Sequence, residues 1–178
     1  GHMKLIDIVA STRIPVGYRI SFLTNFWREP LLKRMERKYG IIRPELTVLI
    51  CLNFRDGLHA RDICEITEQP SNTVSRAVTS LELAGRLVRR QDPDDNRRMI
   101  LSLTTDGQAL HDSIMKEFAR AEKALIGTLT EKESAVLTAL LDRLARDVDN
   151  WSASQDYVTA FEGEPAAAGS EESQVSGL

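Results

Sequence analysis

Two short helical segments that lie close together in the sequence constrain the fold of this chain most strongly. Residues 59–67 and 70–84 each show the apolar periodicity of a helix, and only a few residues separate them. The second segment begins with Pro70 and ends before Gly85, a residue suited to a left-handed helix end. One face of this second segment is apolar and comprises Val74, Ala77, Val78 and Leu81. The arrangement predicts a helix-turn-helix.

A β-hairpin is predicted directly after these helices. Residues 87–91 and 98–103 are expected to be strands, because apolar and polar residues alternate along the second of them. The segment between them, Asp92-Pro93-Asp94-Asp95-Asn96-Arg97, is typical of a polar turn, and it has a basic tip.

Longer helical patterns flank this central part. One runs from about residue 15 to 39, and Pro30 is expected to kink or break it just before the proline. A new helix is expected at Pro44, with an apolar stripe of Leu46, Leu49, Ile50 and Phe54. Another helix is expected from about residue 105 to 126, capped by Thr104 or Thr105.

The last helical pattern starts at a capping box, Thr130-Glu131-Lys132-Glu133. Its apolar stripe comprises Leu137, Leu140, Leu141, Leu144, Val148 and Trp151. Such a stripe is too apolar to remain in water on so small a module, so we expect it to be covered. From about residue 152 to 178 the chain is acidic and rich in Ala, Gly and Ser, which predicts a disordered tail.

The net charge of −3 conceals a segregation of charge along the chain. Seven of the 26 acidic residues lie between Asp147 and Leu178, where there is no Lys or Arg, so the rest carries 23 basic and 19 acidic residues. That balance is only mildly basic. A nucleic-acid partner would therefore have to be bound by a local arrangement of arginines.

Several classes of protein are not expected. Residues 1–3 look like the remnant of a cleaved tag, and no uncharged apolar run approaches the ~20 residues that cross a bilayer, so we expect a cytoplasmic protein without a membrane partner. Cys51 and Cys64 lie in apolar helical patterns and are expected to be reduced and buried, with redox sensing as the alternative. No His/Cys cluster has metal-ligand spacing, so no metal or other cofactor is expected.

Three segments, in this order and spacing, resemble the MarR-type (multiple antibiotic resistance regulator) transcription factors. They are Asn72-Thr73-Val74-Ser75-Arg76 followed by Leu81 and Gly85, then Asp92 to Arg97, then Leu103-Thr104-Thr105-Asp106-Gly107. The resemblance covers about residues 18–151. It implies a mainly α fold with a small β-wing, in a single unit spanning residues 4–151. The winged helix-turn-helix would span about residues 44–104, flanked by dimerisation helices at about 15–40 and 105–151.

The residues themselves support a DNA-binding surface. A helix whose first turns carry small hydroxyl and amide side chains and one Arg can enter the ~12 Å major groove of DNA. Arg76 is our candidate for reading a base, with a salt bridge or a phosphate contact as the alternative. Ser71, Asn72 and Thr73 lie at the helix N-terminus, which favours phosphate contact. Further candidate contacts are Ser75, Thr79, Arg98 and His59.

The resemblance implies roles for the wing as well. It places Arg97 in the flanking minor groove and makes Asp95 a residue that holds the wing in shape; plain solvated charge is the alternative for Arg97 and Arg98. His59 stands where the family often has a Ser or Thr cap, and Pro70 where it often has a small hydroxyl residue. The backbone contacts at these two helix starts are therefore expected to differ, with Gln69 or a water as the cap in place of Pro70.

The resemblance also implies a homodimer and a ligand. The terminal helices would interlock around a two-fold axis, with a monomeric helical bundle as the alternative. Many relatives release DNA when a small molecule, often an aromatic acid, binds. Candidates for such a site here are Tyr18, Arg19, Phe22, Phe26 and Trp27. The alternative for these aromatic residues is ordinary core packing.

The sequence thus predicts a sequence-specific, double-stranded DNA-binding transcription regulator. We expect a repressor that acts as a homodimer on a pseudo-palindromic operator and is released by a small-molecule effector. A winged-helix module for protein–protein contact without DNA binding is the alternative. An enzyme is not expected, because the chain has no Gly-rich phosphate loop and no nucleophile-His-carboxylate set.

Overall fold

The computed structural model of the protein describes residues 1–160. The described chain divides into two compact units, the first ending at Ala121 and the second beginning at Glu122. Most of the predicted acidic tail, from residue 161 onward, lies outside the described residues.

The first unit begins with helices α1 (Leu5–Ala10), α2 (Pro15–Leu23) and α3 (Glu29–Tyr39). The expected break before Pro30 is confirmed, and it takes the form of a π-helical turn, Thr24–Arg28, between α2 and α3. Pro30 cannot donate a backbone hydrogen bond to the preceding turn and clashes with it, so the regular α-helical ladder is interrupted there. Helix α1 was not predicted from the sequence.

Helices α4 (Arg43–Phe54), α5 (Ala60–Thr67) and α6 (Ser71–Leu83) form the predicted helix-turn-helix and the helix before it. The four apolar residues expected to face inward from α6 are all buried. Leu46 and Leu49 are buried on α4, but Phe54 is 89% exposed, so its expected place on the inward stripe was wrong. Helix α4 ends at Phe54, and the next residue is extended, so the last turn of the stripe lies beyond the core.

The wing is an antiparallel hairpin of β1 (Leu87–Gln91) and β2 (Met99–Leu103), in which Leu87 pairs with Leu103. Leu101 is buried, and its N–H donates to the Leu58 carbonyl at 2.9 Å. The hairpin is therefore attached to the segment between α4 and α5. Gly85 adopts a left-handed conformation (φ 74°) after α6, as predicted.

Thr104 fixes the start of α7 (Thr105–Leu125) to the segment that links α6 and the wing. Its hydroxyl accepts from Gly107 N–H at 3.0 Å and donates to the Gly85 carbonyl at 2.6 Å, so Thr104 is the cap. Its own N–H donates to the Arg86 carbonyl at 3.1 Å. A β-carbon at residue 107 would overlap that Arg86 carbonyl, which explains why Gly107 is needed here.

The second unit contains α8 (Glu131–Arg146), α9 (Val148–Ser152) and α10 (Gln155–Thr159). The predicted capping box is present, with Thr130 and Glu133 each accepting from the other's backbone N–H at 3.0–3.1 Å. The helix expected to continue to Trp151 is interrupted at Asp147. The disorder predicted from residue 152 does not hold for the first residues of the tail, because Ser154 caps α10 through the N–H of Tyr157.

Glu117 on α7 is the acceptor of three hydrogen bonds from α3. Tyr39 Oη donates to it at 2.7 Å, Arg34 Nε at 2.9 Å and Lys38 Nζ at 3.2 Å. The Tyr39 hydrogen bond, followed by those from Arg34 and Lys38, lowers the pKa of Glu117 from 4.5 to about 2. This carboxylate therefore ties the two helices together in its ionised form.

Replacing Glu117 with Gln is expected to lower the free energy of unfolding at pH 7 by about 1–2 kcal/mol. Because the folded-state pKa of Glu117 is depressed, its contribution is fully present above pH 4.5 and is lost as the pH falls toward about 2. Urea denaturation at several pH values should show wild type and Glu117→Gln converging in acid. The control Glu122→Gln, on the same helix, should follow wild type. A wild type–variant difference that stays constant down to pH ~2 would contradict this assignment.

Candidate nucleic-acid interface

Helix α6 presents a polar face opposite its buried side. Five of the six residues predicted to contact DNA from this helix are exposed and Thr73 is half-buried; the exposed ones are Ser71, Asn72, Ser75, Arg76 and Thr79. The Arg76 side chain lies along the helix, with Nε donating to the Asn72 carbonyl at 3.3 Å. No carboxylate within residues 1–160 lies within ion-pairing distance of Arg76. The salt-bridge alternative for Arg76 is therefore not favoured.

The N-terminus of α6 has no side-chain cap. Pro70 occupies the cap position in an extended conformation, and no side chain accepts from the first turn as a cap. Gln69 does not take over that role as expected, because its Oε1 is buried and makes no hydrogen bond within the described part of the chain. The Thr73 N–H of the first turn donates to Asn72 Oδ1 at 2.9 Å. The N–H of Ser71 stands at the helix N-terminus, where water or an anionic partner can accept from it.

The turn of the wing is organised around Asp95. Its Oδ1 accepts from the backbone N–H of Arg97 at 3.1 Å and from Arg97 Nε at 3.3 Å, and its Oδ2 lies 3.6 Å from Arg98 Nε. The Arg97 side chain is 92% exposed at the tip. Asp95 thus shapes the turn from inside, and both arginines stand on its solvent side.

Two further arginines of the wing were missed in the sequence. Arg89 on β1 donates from Nη2 to Thr79 Oγ1 at 2.8 Å, and its Nε lies 3.3 Å from Glu82 Oε2. It therefore links the wing to α6 and occupies the hydroxyl of Thr79. Arg90 follows it and is exposed. The adjacent pair Arg89-Arg90, close to a turn followed by two more arginines, is the sequence pattern that could have indicated them.

His59 lies between two carboxylates. Its Nδ1 is 3.1 Å from Asp62 Oδ2, and its Nε2 is 2.7 Å from Asp92 Oδ2. Its backbone N–H also donates to Asp62, as in a capping box. These partners do not favour the predicted phosphate contact, which stays a prediction, and they instead connect the start of α5 with the wing.

Known proteins share this arrangement. A sequence model of the MarR family matches residues 39–98, from the end of α3 to the wing. The HTH-type transcriptional regulator YdgJ of Bacillus subtilis is 28% identical over 117 residues, covering 66% of this chain and 71% of that protein. The structure of the PcaV transcriptional regulator from Streptomyces coelicolor with its natural ligand matches with a TM-score of 0.62 and 26% identity, covering 76% of this chain and 96% of PcaV. The chain is thus similar to MarR-family regulators, in sequence over residues 39–98.

Another match bears directly on DNA. A mutant of S. aureus MepR bound to an oligodeoxyribonucleotide matches with a TM-score of 0.54 and 25% identity, covering 74% of this chain and 96% of MepR. The matched proteins are transcriptional regulators rather than enzymes. The predicted fold class, mainly α with a small β-wing, is confirmed by the described elements and by these neighbours.

In this chain the five predicted ligand residues do not form one site. Tyr18 and Phe22 line a groove of about 430 Å³ between α1 and α2, together with Leu5, Ile8 and Val9. Arg19 Nη1 donates to the Pro15 carbonyl at 2.9 Å on its own helix, and Arg19 does not line the groove. The groove lining contains no charged residue, so it does not suit an acid.

Phe26 and Trp27 lie outside this groove. Phe26 stacks on Phe22 with ring centroids 4.6 Å apart. Trp27 Nε1 donates to the Ala121 carbonyl at 2.9 Å, and its ring packs nearly perpendicular to that of Phe118, with ring centroids 6.1 Å apart. Trp27 therefore packs against α7, which is the core role that was the alternative for these aromatic residues.

Arg43 is a positively charged residue that was not predicted from the sequence to bind a ligand. Its Nη2 is buried and makes no hydrogen bond within residues 1–160. Burial, and then the nearby charge of Arg28, lowers the pKa of the Arg43 guanidinium. A buried guanidinium nitrogen without an acceptor is able to donate a hydrogen bond to an anionic ligand.

The cysteines resemble core residues rather than redox centres. Cys51 and Cys64 are half-buried, unpaired and packed against the hydrophobic core. Burial raises the pKa of both thiols, which disfavours the reactive thiolate. Within residues 1–160 no group of His, Cys, Asp or Glu could hold a metal, and none of the helices there has the length and apolar character to cross a membrane.

Proposed function

We propose that this MarR-family regulator is a repressor that binds a pseudo-palindromic duplex as a homodimer, with α6 in the major groove and the wing tip in the flanking minor groove. The exposed polar face of α6, centred on Arg76, is the observation on which this proposal rests. The N-terminus of α6 would meet phosphates, while Arg76 would reach a base edge. A repressor of this kind would act by covering a promoter.

The wing supports the second contact. Arg97 is nearly fully exposed at the tip, and Asp95 organises the turn that presents it. A narrow A·T-rich minor groove concentrates negative potential and attracts arginine. Arg90 and Arg98 add positive charge on the same hairpin, whereas Arg89 is engaged with α6.

The dimer is supported by apolar surface in the second unit. The six residues of the stripe from Leu137 to Trp151 are each between 39% and 50% exposed. Exposed apolar side chains along α8 and α9 are unstable in water, and a second copy of the chain is the partner that a palindromic site requires. Two reading helices about 34 Å apart would then meet successive turns of one face of the duplex.

The proposed effector is a small aromatic acid. The matched PcaV structure contains that protein's natural ligand. The buried Nη2 of Arg43 makes no hydrogen bond within residues 1–160, so it suits a carboxylate better than Arg19, which is bonded to its own helix. A panel of aromatic acids tests this proposal, since an effector should raise the melting temperature and weaken duplex binding.

Duplex binding as a function of salt tests the proposed function. Fluorescence anisotropy with genomic duplexes should show affinity falling steeply with salt, with a log–log slope of about −0.9 per phosphate contact. A protein–protein module would instead show no duplex binding at low salt, and that result would refute the proposal.

Arg97→Ala is expected to weaken binding by roughly three- to tenfold, with a salt slope smaller by about one. The loss should be largest on duplexes with A·T-rich flanks, because their narrow minor groove attracts the side chain most. Anisotropy on duplexes that differ only in their flanks measures this effect. Equal losses on A·T-rich and G·C-rich flanks would rule out the minor-groove contact.

A further inference from the structure

Arg89 links the first strand of the wing to the exposed face of α6. Its Nη2 donates to Thr79 Oγ1 at 2.8 Å, and its Nε lies 3.3 Å from Glu82 Oε2. The Nε atom is buried and makes no hydrogen bond within residues 1–160, so Glu82 acts on it through charge. The Arg89 guanidinium is therefore oriented by one hydrogen bond and one ion pair, both to the same helix.

The link reaches the face of α6 that carries Arg76. Thr79 follows Arg76 by three residues, and residues at that spacing are neighbours on one face of a helix. Both residues are exposed. Arg89 thus joins the wing to α6 within one turn of the side chain that would read a base.

The strand ladder connects Arg89 to the tip of the wing. Arg89 pairs with Leu101 in the middle of the ladder between β1 and β2, and the ladder ends next to the turn that presents Arg97. A two-stranded hairpin twists and is barely stable alone, so a side chain that anchors one strand limits where the tip can lie. The distance from Arg76 to Arg97 therefore depends on the link made by Arg89.

We propose that Arg89 is a positioning residue that sets the spacing between the base read by α6 and the minor-groove flank read by the wing tip. The contacts of Arg76 and Arg97 can form together only where the duplex presents both grooves at the distance that the protein fixes. The link thus makes the protein select one register of an A·T-rich flank relative to the half-site. This inference rests on the proposed function, since its readout is duplex affinity.

Other contacts hold the base of the wing. Leu87 and Leu101 are buried, and a backbone bridge joins Leu101 to Leu58. The Arg89 and Glu82 side chains are 30% and 39% exposed, and an ion pair so accessible to water adds little to stability. Replacing Arg89 should therefore leave the fold intact and allow the tip to move.

The test compares two duplexes that differ only in the register of an A·T-rich tract. One is the duplex that the full chain prefers. In the other the tract lies one base pair further out, which moves it by about 3.4 Å and rotates it by about 35°. Anisotropy titrations at constant salt give the ratio of the two Kd values. Wild type should favour the first duplex roughly three- to tenfold, because Arg97 loses its groove in the second.

Arg89→Gln should bring this ratio close to one, because the released tip can follow the displaced tract. Thr79→Val removes the hydroxyl acceptor and should have the same effect, whereas Thr79→Ser keeps the acceptor and should keep the wild-type ratio. The matched control is Arg90→Gln, which removes the same charge from the next residue, an exposed one. It should weaken binding to both duplexes alike and leave the ratio unchanged.

A purely structural or electrostatic role for Arg89 would lower affinity for both duplexes by the same factor, and an unchanged ratio in Arg89→Gln would overturn the proposal. A wild-type ratio of one would overturn it as well. Circular dichroism of each variant checks the fold, and Thr79→Val provides an independent answer if Arg89→Gln does not fold. Absence of duplex binding by wild type would instead refute the proposed function, so the two failures are distinguishable.

Discussion

Replacing Leu140 and Leu144 together with Glu is expected to convert the protein to monomers and to weaken specific duplex binding on the order of 10³-fold. Both side chains are 50% exposed in the second unit, so Glu, a good helix former, should leave that unit folded. A charged residue in an apolar dimer interface cannot be paired or hydrated, which prevents association. Without a partner, one module cannot contact both half-sites of a palindrome. Sedimentation velocity and anisotropy on the same samples measure the two effects.

The matched control is Ala139→Glu. Ala139 is exposed on the opposite face of α8, so the same substitution there should leave both the mass and the affinity unchanged. A double variant that sediments as a dimer, or monomers that retain wild-type affinity, would contradict the proposed role of the stripe.

Arg76→Ala is expected to cost about 1–3 kcal/mol on the preferred duplex and much less on a scrambled one. The Arg76 guanidinium is exposed and not ion-paired within residues 1–160, so its removal should not unfold α6. Its planar guanidinium can donate hydrogen bonds to two acceptors on a guanine edge, and alanine leaves those acceptors without a donor from the protein. Competition between the preferred and scrambled duplexes gives the loss of preference directly.

Arg146→Ala serves as the charge control for this variant. Arg146 lies on α8 and pairs with Asp142, so its loss removes one positive charge from a helix that is not proposed to contact DNA. Its effect on both duplexes should be small. Equal losses for Arg76→Ala on both duplexes would make Arg76 a phosphate contact.

Local patterns were sufficient to predict most of the DNA-binding part. The buried face of α6, the left-handed Gly85 and the polar turn from Asp92 to Arg97 each depend on residues close together in sequence. The capping box at Thr130 is local in the same way and is present as predicted. Such features follow from periodicity and turn chemistry, which a single sequence contains.

Long-range contacts and helix ends were not predictable. The Arg89–Thr79 and His59–Asp92 bonds join segments whose packing is fixed only by the folded hairpin. From its position in the sequence, Trp27 suits a ligand pocket as well as it suits the core. Only the hydrogen bond to the Ala121 carbonyl shows that it packs against α7. Phe54 continues the periodicity of α4 but lies beyond the core, because periodicity does not reveal where the opposing surface ends.

Selection of duplexes from a random pool by the purified protein, followed by sequencing, tests the central claim most directly. Two α6 helices related by a two-fold axis should enrich an inverted repeat whose half-site centres lie about 10 base pairs apart. Enrichment at the flanks should favour A·T pairs, in keeping with arginine in a narrow minor groove. A pool that remains random, or a single half-site without its inverted copy, would contradict the account.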